Sequence, residues 1–304
     1  MGDIFRDFEL LQKAFREEEH KRDSRGRFTK MGDVGGKKEV DVTTIESTAA
    51  ANKDSEGNYT PERKALHKKI LSDLLKSAGE TNKNGKPVVV ILGGGTASGK
   101  SSIRGAISSD VFKRDGQDMG FATVDSDDIK REFPETQKMI DAGLTDWAAR
   151  THDESSDITL AGIEMLTKAQ KNFVYDGTMK NADKYANIID KFRKAGYDVH
   201  IYVADAPIDV AVDRAEKRGH GKEKRFVDID VILDSHTNIP NSFERLKDKA
   251  DSYFLYDTNS GDTPKMVASK GYLDQEMYGR FLMKADINAA EYKAKYTTLY
   301  PNRK

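Results

Sequence analysis

Gly94-Gly95-Thr96-Ala97-Ser98-Gly99-Lys100-Ser101 sets a lysine and a hydroxyl directly after a glycine-bracketed loop. This is the spacing G-x-x-x-x-G-K-[ST], in which backbone N–H groups cradle a polyphosphate. Glycine keeps a Cβ out of the tight turn, so successive N–H groups can point inward. Lys100 then neutralises β- and γ-phosphate oxygens, and the Ser101 hydroxyl ligates Mg²⁺. The first turn of a following helix, Ser102 included, adds its unpaired donors and positive dipole end. The run predicts a nucleotide site with ATP and Mg²⁺ as cofactors.

Such a loop needs carboxylates to hold the metal and to meet an acceptor. Asp125-Ser126-Asp127-Asp128 and Asp176-Gly177-Thr178 each follow an apolar strand-like run, and strand carboxyl ends are where ligands sit in this architecture. Asp176 reads as a Mg²⁺ carboxylate and Asp125 as a second candidate for the metal shell. Asp127 is placed to take the proton of an acceptor hydroxyl, a role that mainly orients the nucleophile when the transition state is loose. Helix capping is the competing explanation for these aspartates and the preferred one for Asp128. Further along, Arg214, Lys217, Arg218, Lys222, Lys224 and Arg225 surround Gly219-His220-Gly221. A basic, glycine-flexed segment there suits a lid over the phosphates, with Arg214 and Arg225 as its working arginines. The plainer alternative is a solvated helix end, where cations suit the dipole.

Residues 88–92, 121–125, 172–176, 199–203 and 253–256 read as strands. Helical stretches near 101–108, 157–169, 183–194 and 207–218 lie between them. Strands alternating with helix-length connections predict a parallel sheet covered on both faces, the α/β architecture of P-loop kinases. Thr60-Pro61 opens a helix with Leu66, Ile70, Leu74 and Ala78 on one face. Ile4, Phe5, Phe8, Leu11 and Phe15 space as a short amphipathic helix, and the basic stretch 21–38 reads as a flexible linker. The expected organisation is an N-terminal helical region with that linker (1–85), a P-loop kinase domain (86–257) and a C-terminal helical extension (258–304).

The 304 residues carry a formal net charge of −1 although 33% are charged, so no global basic field marks a nucleic-acid binder. Cysteine is absent, which excludes a disulfide framework and thiolate chemistry. The longest apolar run, 88–92, is too short for a bilayer. The expectation is a cytoplasmic protein.

Taken in order, these motifs resemble the zeta toxin family of P-loop kinases. The likeness rests on Gly94 to Ser101, Val124-Asp125-Ser126-Asp127, His152-Asp153-Glu154-Ser155-Ser156, Tyr175-Asp176-Gly177-Thr178, Arg214 with Arg225, and Ser242-Phe243-Glu244-Arg245-Leu246. It covers roughly residues 86–256. The resemblance implies phosphorylation of a sugar nucleotide, UDP-N-acetylglucosamine, with Asp127 as base. It also implies that His152, Glu154, Ser155, Thr178 and Lys180 lie near the acceptor, that Arg214 and Arg225 meet the phosphates, and that an antitoxin-like protein is the partner. Two departures bear on the acceptor: Asp176-Gly177-Thr178 stands where well-known toxins carry Glu-Gly-Thr, and the region between Asp128 and His152 differs. Residues 22–28 resemble a segment common in phage-encoded proteins. A nucleoside or polynucleotide 5′-hydroxyl kinase and a non-catalytic ATP-binding assembly module are the alternatives. Lys100→Ala is expected to weaken ATP binding and abolish phosphoryl transfer; undiminished transfer of label from γ-labelled ATP would remove the reading.

Overall fold

Every residue of β1 (Val88–Gly93) is buried, because this strand lies in the middle of a sheet that is covered on both sides. Its side chains alternate between two cores. Val89 and Ile91 join the larger one, while Val88, Val90 and Leu92 join the other. Full burial of each such side chain is worth about 1.5–3 kcal/mol, which is why the run tolerates no polar residue.

The computed structural model describes residues 41–78, 85–114, 117–221, 224–259 and 263–299. The expected helix over 4–15, the basic stretch 21–38 and the phage-like segment 22–28 lie outside them. In chain order, α1 (Thr48–Ala51) and α2 (Pro61–Ser77) precede β1, and the phosphate loop leads from β1 into α3 (Lys100–Asp110). A small hairpin of β2 (Lys113–Arg114) and β3 (Gln117–Asp118) is followed by β4 (Ala122–Asp125). Next come α4 (Ser126–Arg131), α5 (Pro134–Asp141), α6 (Trp147–Arg150) and α7 (His152–Lys168), then β5 (Phe173–Asp176), α8 (Ala182–Lys194) and β6 (Asp198–Asp205). The chain continues through α9 (Ile208–His220), α10 (Ile229–Leu246), β7 (Ser252–Asp257), β8 (Lys265–Ser269), β9 (Tyr272–Leu273), α11 (Gln275–Met283) and α12 (Ala289–Leu299).

The main sheet runs β4-β5-β1-β6-β7-β8-β9. Its first five strands are parallel, with Leu92 opposite Asp176 and Asp125 opposite Asp176. All five strands expected from the sequence are present. The carboxyl ends of β4, β5 and β1 therefore meet on one edge, as the site requires. The segment after Asp257 is not purely helical: β8 adds to the sheet antiparallel to β7, and β9 antiparallel to β8, before α11 begins. Lys265–Ser269 is short and its exposure does not alternate, so it carries no period-2 signal.

Both flanks of the chain brace this sheet. α2 starts with Thr60 accepting from the Arg63 N–H at 3.3 Å and with Pro61 at its first position. Ile70 and Leu71 of α2 pack into the larger core. At its start, Arg63 reaches α7: its Nε and Nη2 donate to the two oxygens of Glu154 at 2.5 and 2.7 Å, and Nη1 donates to Glu135 at 2.9 Å. His67 Nε2 is 2.6 Å from Glu154. At the other end, Lys284 pairs with Asp205, and the Tyr296 hydroxyl donates to Glu216 of α9 at 2.7 Å.

Burial works to raise the Glu154 pKa, but hydrogen bonds from Arg63 and His67 outweigh it and bring it down to about 2 from the ordinary 4.5. A depressed carboxyl adds stability above its unfolded pKa. This contribution is present at neutral pH and is lost as pH falls from 4.5 towards 2. Arg63→Ala should lower unfolding stability by about 3–5 kcal/mol, because it leaves a buried carboxylate with too few cations. Urea denaturation at pH 7 and pH 3 checks both statements, with a smaller loss expected at the lower pH.

Candidate active site

The phosphate loop is held open by its backbone and by neighbours on three elements. Gly94 has φ +146°, and a Cβ there would press on Ser98 Oγ and the Ala204 carbonyl. Gly99 precedes α3 at φ +86° and provides no side-chain cap, which suits an anion site, although the Ser102 N–H and hydroxyl both donate to the Gly99 carbonyl, at 2.9 and 2.7 Å. From α10, Ser235 Oγ accepts from the Thr96 N–H at 3.0 Å, and His236 lies 2.9 Å from the Thr96 carbonyl. Burial pushes the His236 imidazole down to about 3, with the Lys284 charge acting the same way. The ring is therefore neutral at pH 7 and donates through Nε2. The Thr258 hydroxyl donates to the Ser98 carbonyl at 2.6 Å, and Arg214 Nη2 donates to the Thr258 carbonyl at 2.9 Å. Arg214 thereby lies against Gly99 at the phosphate side of the loop.

Cations and carboxylates alternate along the strand ends. Lys100 Nζ is 3.4 Å from the Gly94 carbonyl and 3.9 Å from Asp176 Oδ1. Arg104, one helical turn further on, donates a single nitrogen to Asp125 at 2.9 Å and to Asp176 at 2.8 Å. Burial raises the pKa of Asp176, with the Lys100 charge opposing. Asp125 caps α4 by accepting from the Asp127 N–H on Oδ1 at 2.9 Å, while its Oδ2 faces Arg104. Asp127 stands between Arg225 Nη1 at 2.6 Å and Lys130 Nζ at 3.1 Å. Burial favours its neutral form, yet the Arg225 and Lys130 charges win and hold the carboxyl far below the usual carboxylate range. Asp128 is exposed, and burial together with the nearby Asp125 charge raises its pKa.

The acceptor-side residues divide. Ser155 Oγ lies 3.4 Å from Ser126 Oγ, next to Asp127, and His152 is exposed at the first residue of α7. The Thr178 carbonyl accepts from the Gly94 N–H at 3.2 Å, which ties the β5 loop to the phosphate loop. Lys180 is exposed and paired with Asp234 of α10. Glu154 is the outlier: it is fully buried and occupied by Arg63 and His67. With both oxygens engaged in this way, the carboxylate is not free to bind another group. Five further residues shape the site: Arg104, Lys130, Ser235, His236 and Thr258. Lys130 follows Asp127 by one turn and Arg104 follows Lys100 by one turn, a spacing that puts each pair on one helix face. His236 had no such signal, being a single histidine in an apolar helix face.

Fold and loop together define a P-loop α/β protein with a phosphate site on the carboxyl edge of its sheet. A family model described as Zeta toxin matches residues 72–262, more than half of the chain, and the chain belongs to the zeta toxin family. It is similar to Toxin zeta of Enterococcus hirae, 26% identical over 144 residues, or 47% of this chain and 48% of that protein. Toxin zeta of Streptococcus pyogenes is 26% identical over 121 residues, 40% of each chain. The chain thus spans about half the length, or less, of the curated relatives it matches. Two solved structures share the fold. One comes from the PezAT chromosomal toxin-antitoxin system of Streptococcus pneumoniae, with TM-score 0.53 and 15% identity over 74% of this chain and 88% of that one. The other is the AvrRxo1-ORF1:AvrRxo1-ORF2 complex with ATP, with TM-score 0.55 and 20% identity over 75% and 74%.

A Cβ at Gly95 would come closer to the His236 ring than van der Waals contact allows. Gly95→Ala is expected to weaken nucleotide binding at least about ten-fold, roughly 1.4 kcal/mol. Adding His236→Ala should recover part of that loss, because residues in contact are not additive. Equilibrium titration with a fluorescent ATP analogue reads both variants.

Proposed function

We propose that this chain is an ATP- and Mg²⁺-dependent kinase that transfers the γ-phosphoryl group to a hydroxyl of a sugar nucleotide of the UDP-N-acetylglucosamine class. The observation that carries the reading is the Asp127 carboxylate, kept ionised by Arg225 and Lys130, on a residue whose backbone N–H donates to Asp125 at the end of β4. Membership of the zeta toxin family and the relatives called Toxin zeta support the kinase reading; the acceptor class is what the motif resemblance implies.

In this reading the loop N–H groups, Lys100 and Arg214 bind the polyphosphate. Asp125, Asp176 and the Ser101 hydroxyl are hard oxygen donors that suit Mg²⁺. Among the described residues no group of three or more His, Cys, Asp or Glu could hold a metal, so water, and phosphate oxygens once nucleotide is bound, would complete the shell. Bound there, Mg²⁺ supplies charge neutralisation on the β- and γ-phosphates. Asp127 receives the acceptor hydroxyl in the place where Arg225 and Lys130 now donate. As the bond from the γ-phosphorus to the bridging oxygen breaks and ADP leaves, the acceptor oxygen bonds to phosphorus and its proton passes to Asp127. Arg225, on the segment between α9 and α10, moves from Asp127 to the transferring group. His152, Ser155, Thr178 and Lys180 bound the acceptor side. Glu154 positions His152 and Ser155 by fixing the start of α7.

An antitoxin-like protein partner belongs to the same proposal. One neighbour is described as part of a toxin-antitoxin system and another as a complex of two open-reading-frame products. No helix among the described residues is long and apolar enough to cross a membrane; we place the reaction in the cytoplasm, where ATP is available.

Incubation with γ-labelled ATP, Mg²⁺ and a panel of sugar nucleotides, nucleosides and 5′-hydroxyl oligonucleotides tests the proposal. Label should appear on a sugar nucleotide and fall by at least about 100-fold with Asp127→Asn, the scale of a lost general base. Because Asp127 is held below its ordinary pKa of 3.8, it stays ionised from neutral pH down through pH 5, and its protonation should not limit kcat/KM there. Label on an oligonucleotide instead, or equal transfer by the variant, would sink the acceptor assignment or the base respectively.

A further inference from the structure

The geometry points to Arg104 as a placeholder for the divalent cation: its guanidinium holds the Asp125–Asp176 carboxylate pair until a metal ion takes that position, and then turns to the nucleotide phosphates. This inference rests on the kinase reading above.

Three observations carry it. First, one nitrogen of Arg104 serves both carboxylates, at 2.9 Å to Asp125 Oδ2 and 2.8 Å to Asp176 Oδ2. Those oxygens converge on a single point, where a metal ion would also have to sit. Second, the other oxygen of each aspartate faces a fixed group. Asp125 Oδ1 accepts from the Asp127 N–H at 2.9 Å, and Asp176 Oδ1 faces Lys100 at 3.9 Å. The pair can therefore offer an incoming cation only the oxygens that Arg104 now covers. Third, mobility is asymmetric. The Asp176 side chain is 4% exposed and that of Asp125 16%, whereas that of Arg104 is 44% exposed. The carboxylates are set in the sheet edge, and the long arginine stem is the part that can swing.

The chemistry gives this arrangement a purpose. Two carboxylates this close repel unless a cation lies between them. Arg104 stays charged at any accessible pH, so it keeps the pair together before the metal arrives. It lies one turn after Lys100 on the same face of α3, so its displaced guanidinium remains beside the phosphate loop. There it meets an anion suited to its fork of donors. The cost falls on metal affinity: a site that is free of its competitor only part of the time binds more weakly by that fraction. Removing Arg104 should therefore change metal and nucleotide affinity in opposite directions.

Mn²⁺ titration of the nucleotide-free protein, followed by the paramagnetic resonance of free Mn²⁺, tests this without reference to activity. Arg104→Ala and Arg104→Gln should bind Mn²⁺ about ten-fold more tightly than wild type, and Arg104→Lys should stay near wild type. With Mn²⁺ saturating, a non-hydrolysable ATP analogue should bind Arg104→Ala about ten-fold more weakly. Thermal unfolding confirms that each variant is folded, and the glutamine and lysine variants suffice if the alanine one is not. Mn²⁺ affinity that is unchanged or weaker in the alanine and glutamine variants overturns the placeholder, and the kinase reading then stands if wild type still binds the analogue. Failure of wild type to bind the analogue at all would remove the kinase reading and this inference with it.

Discussion

Three aspartates on two adjacent strand ends cannot sit together at neutral pH without cations between them, and the carboxyl edge of this sheet is organised around that constraint. Asp125 and Asp176 share Arg104, and Asp176 also faces Lys100; Asp127 takes Arg225 and Lys130. The four cations come from three local devices. Lys100 and Arg104 come from the helix that the phosphate loop starts, Lys130 from the turn after Asp127, and Arg225 from the segment between α9 and α10. The same edge that would hold a polyphosphate and its metal is thus already close to neutral without them. Ligands there replace charges that exist rather than adding to an empty field, which keeps the sheet edge intact in either condition.

The edge is steadied from both flanks of the chain. The family match spans residues 72–262, but Arg63 and His67 precede it, and Lys284 and Tyr296 follow it. Arg63 and His67 fix Glu154 at the start of α7, which carries Ser155 beside Ser126. Lys284 fixes the end of β6, and Tyr296 fixes α9, which carries Arg214. A family core is therefore held in shape by residues that lie outside it, through buried ion pairs and a tyrosine hydrogen bond. Those pairs are where this chain differs physically from a bare P-loop domain.

How much of this was legible depended on the range of the interaction involved. The phosphate loop was readable because backbone geometry demands glycine, lysine and serine at fixed offsets. β1 was readable because burial on both faces demands an unbroken apolar run. Asp125, Asp127 and Asp176 were readable because strand ends in an α/β sheet point at the ligand. Glu154 was not, because its fate is decided by Arg63, which lies 91 residues earlier and shares no local pattern with it. His236 looked like any residue on the apolar face of α10, and only its contact with Thr96, 140 residues away, gives it meaning. β8 failed for a different reason: five residues at a sheet edge are too few for a period to emerge.

The central place of β1 also has a bearing on how the chain is made. Val88–Gly93 is among the first parts of the sheet to be synthesised, yet its partners come late. Val89 lies opposite Phe173 and Val199, roughly 80 and 110 residues downstream. At about 5–20 residues per second of synthesis, the most apolar strand of the protein waits on the order of ten seconds for its first neighbour. Through that interval it is a bare, self-complementary template for other chains. The arrangement that makes this strand the best protected in the finished molecule makes it the most vulnerable during translation, and ties the yield of folded protein to whatever shelters the nascent chain.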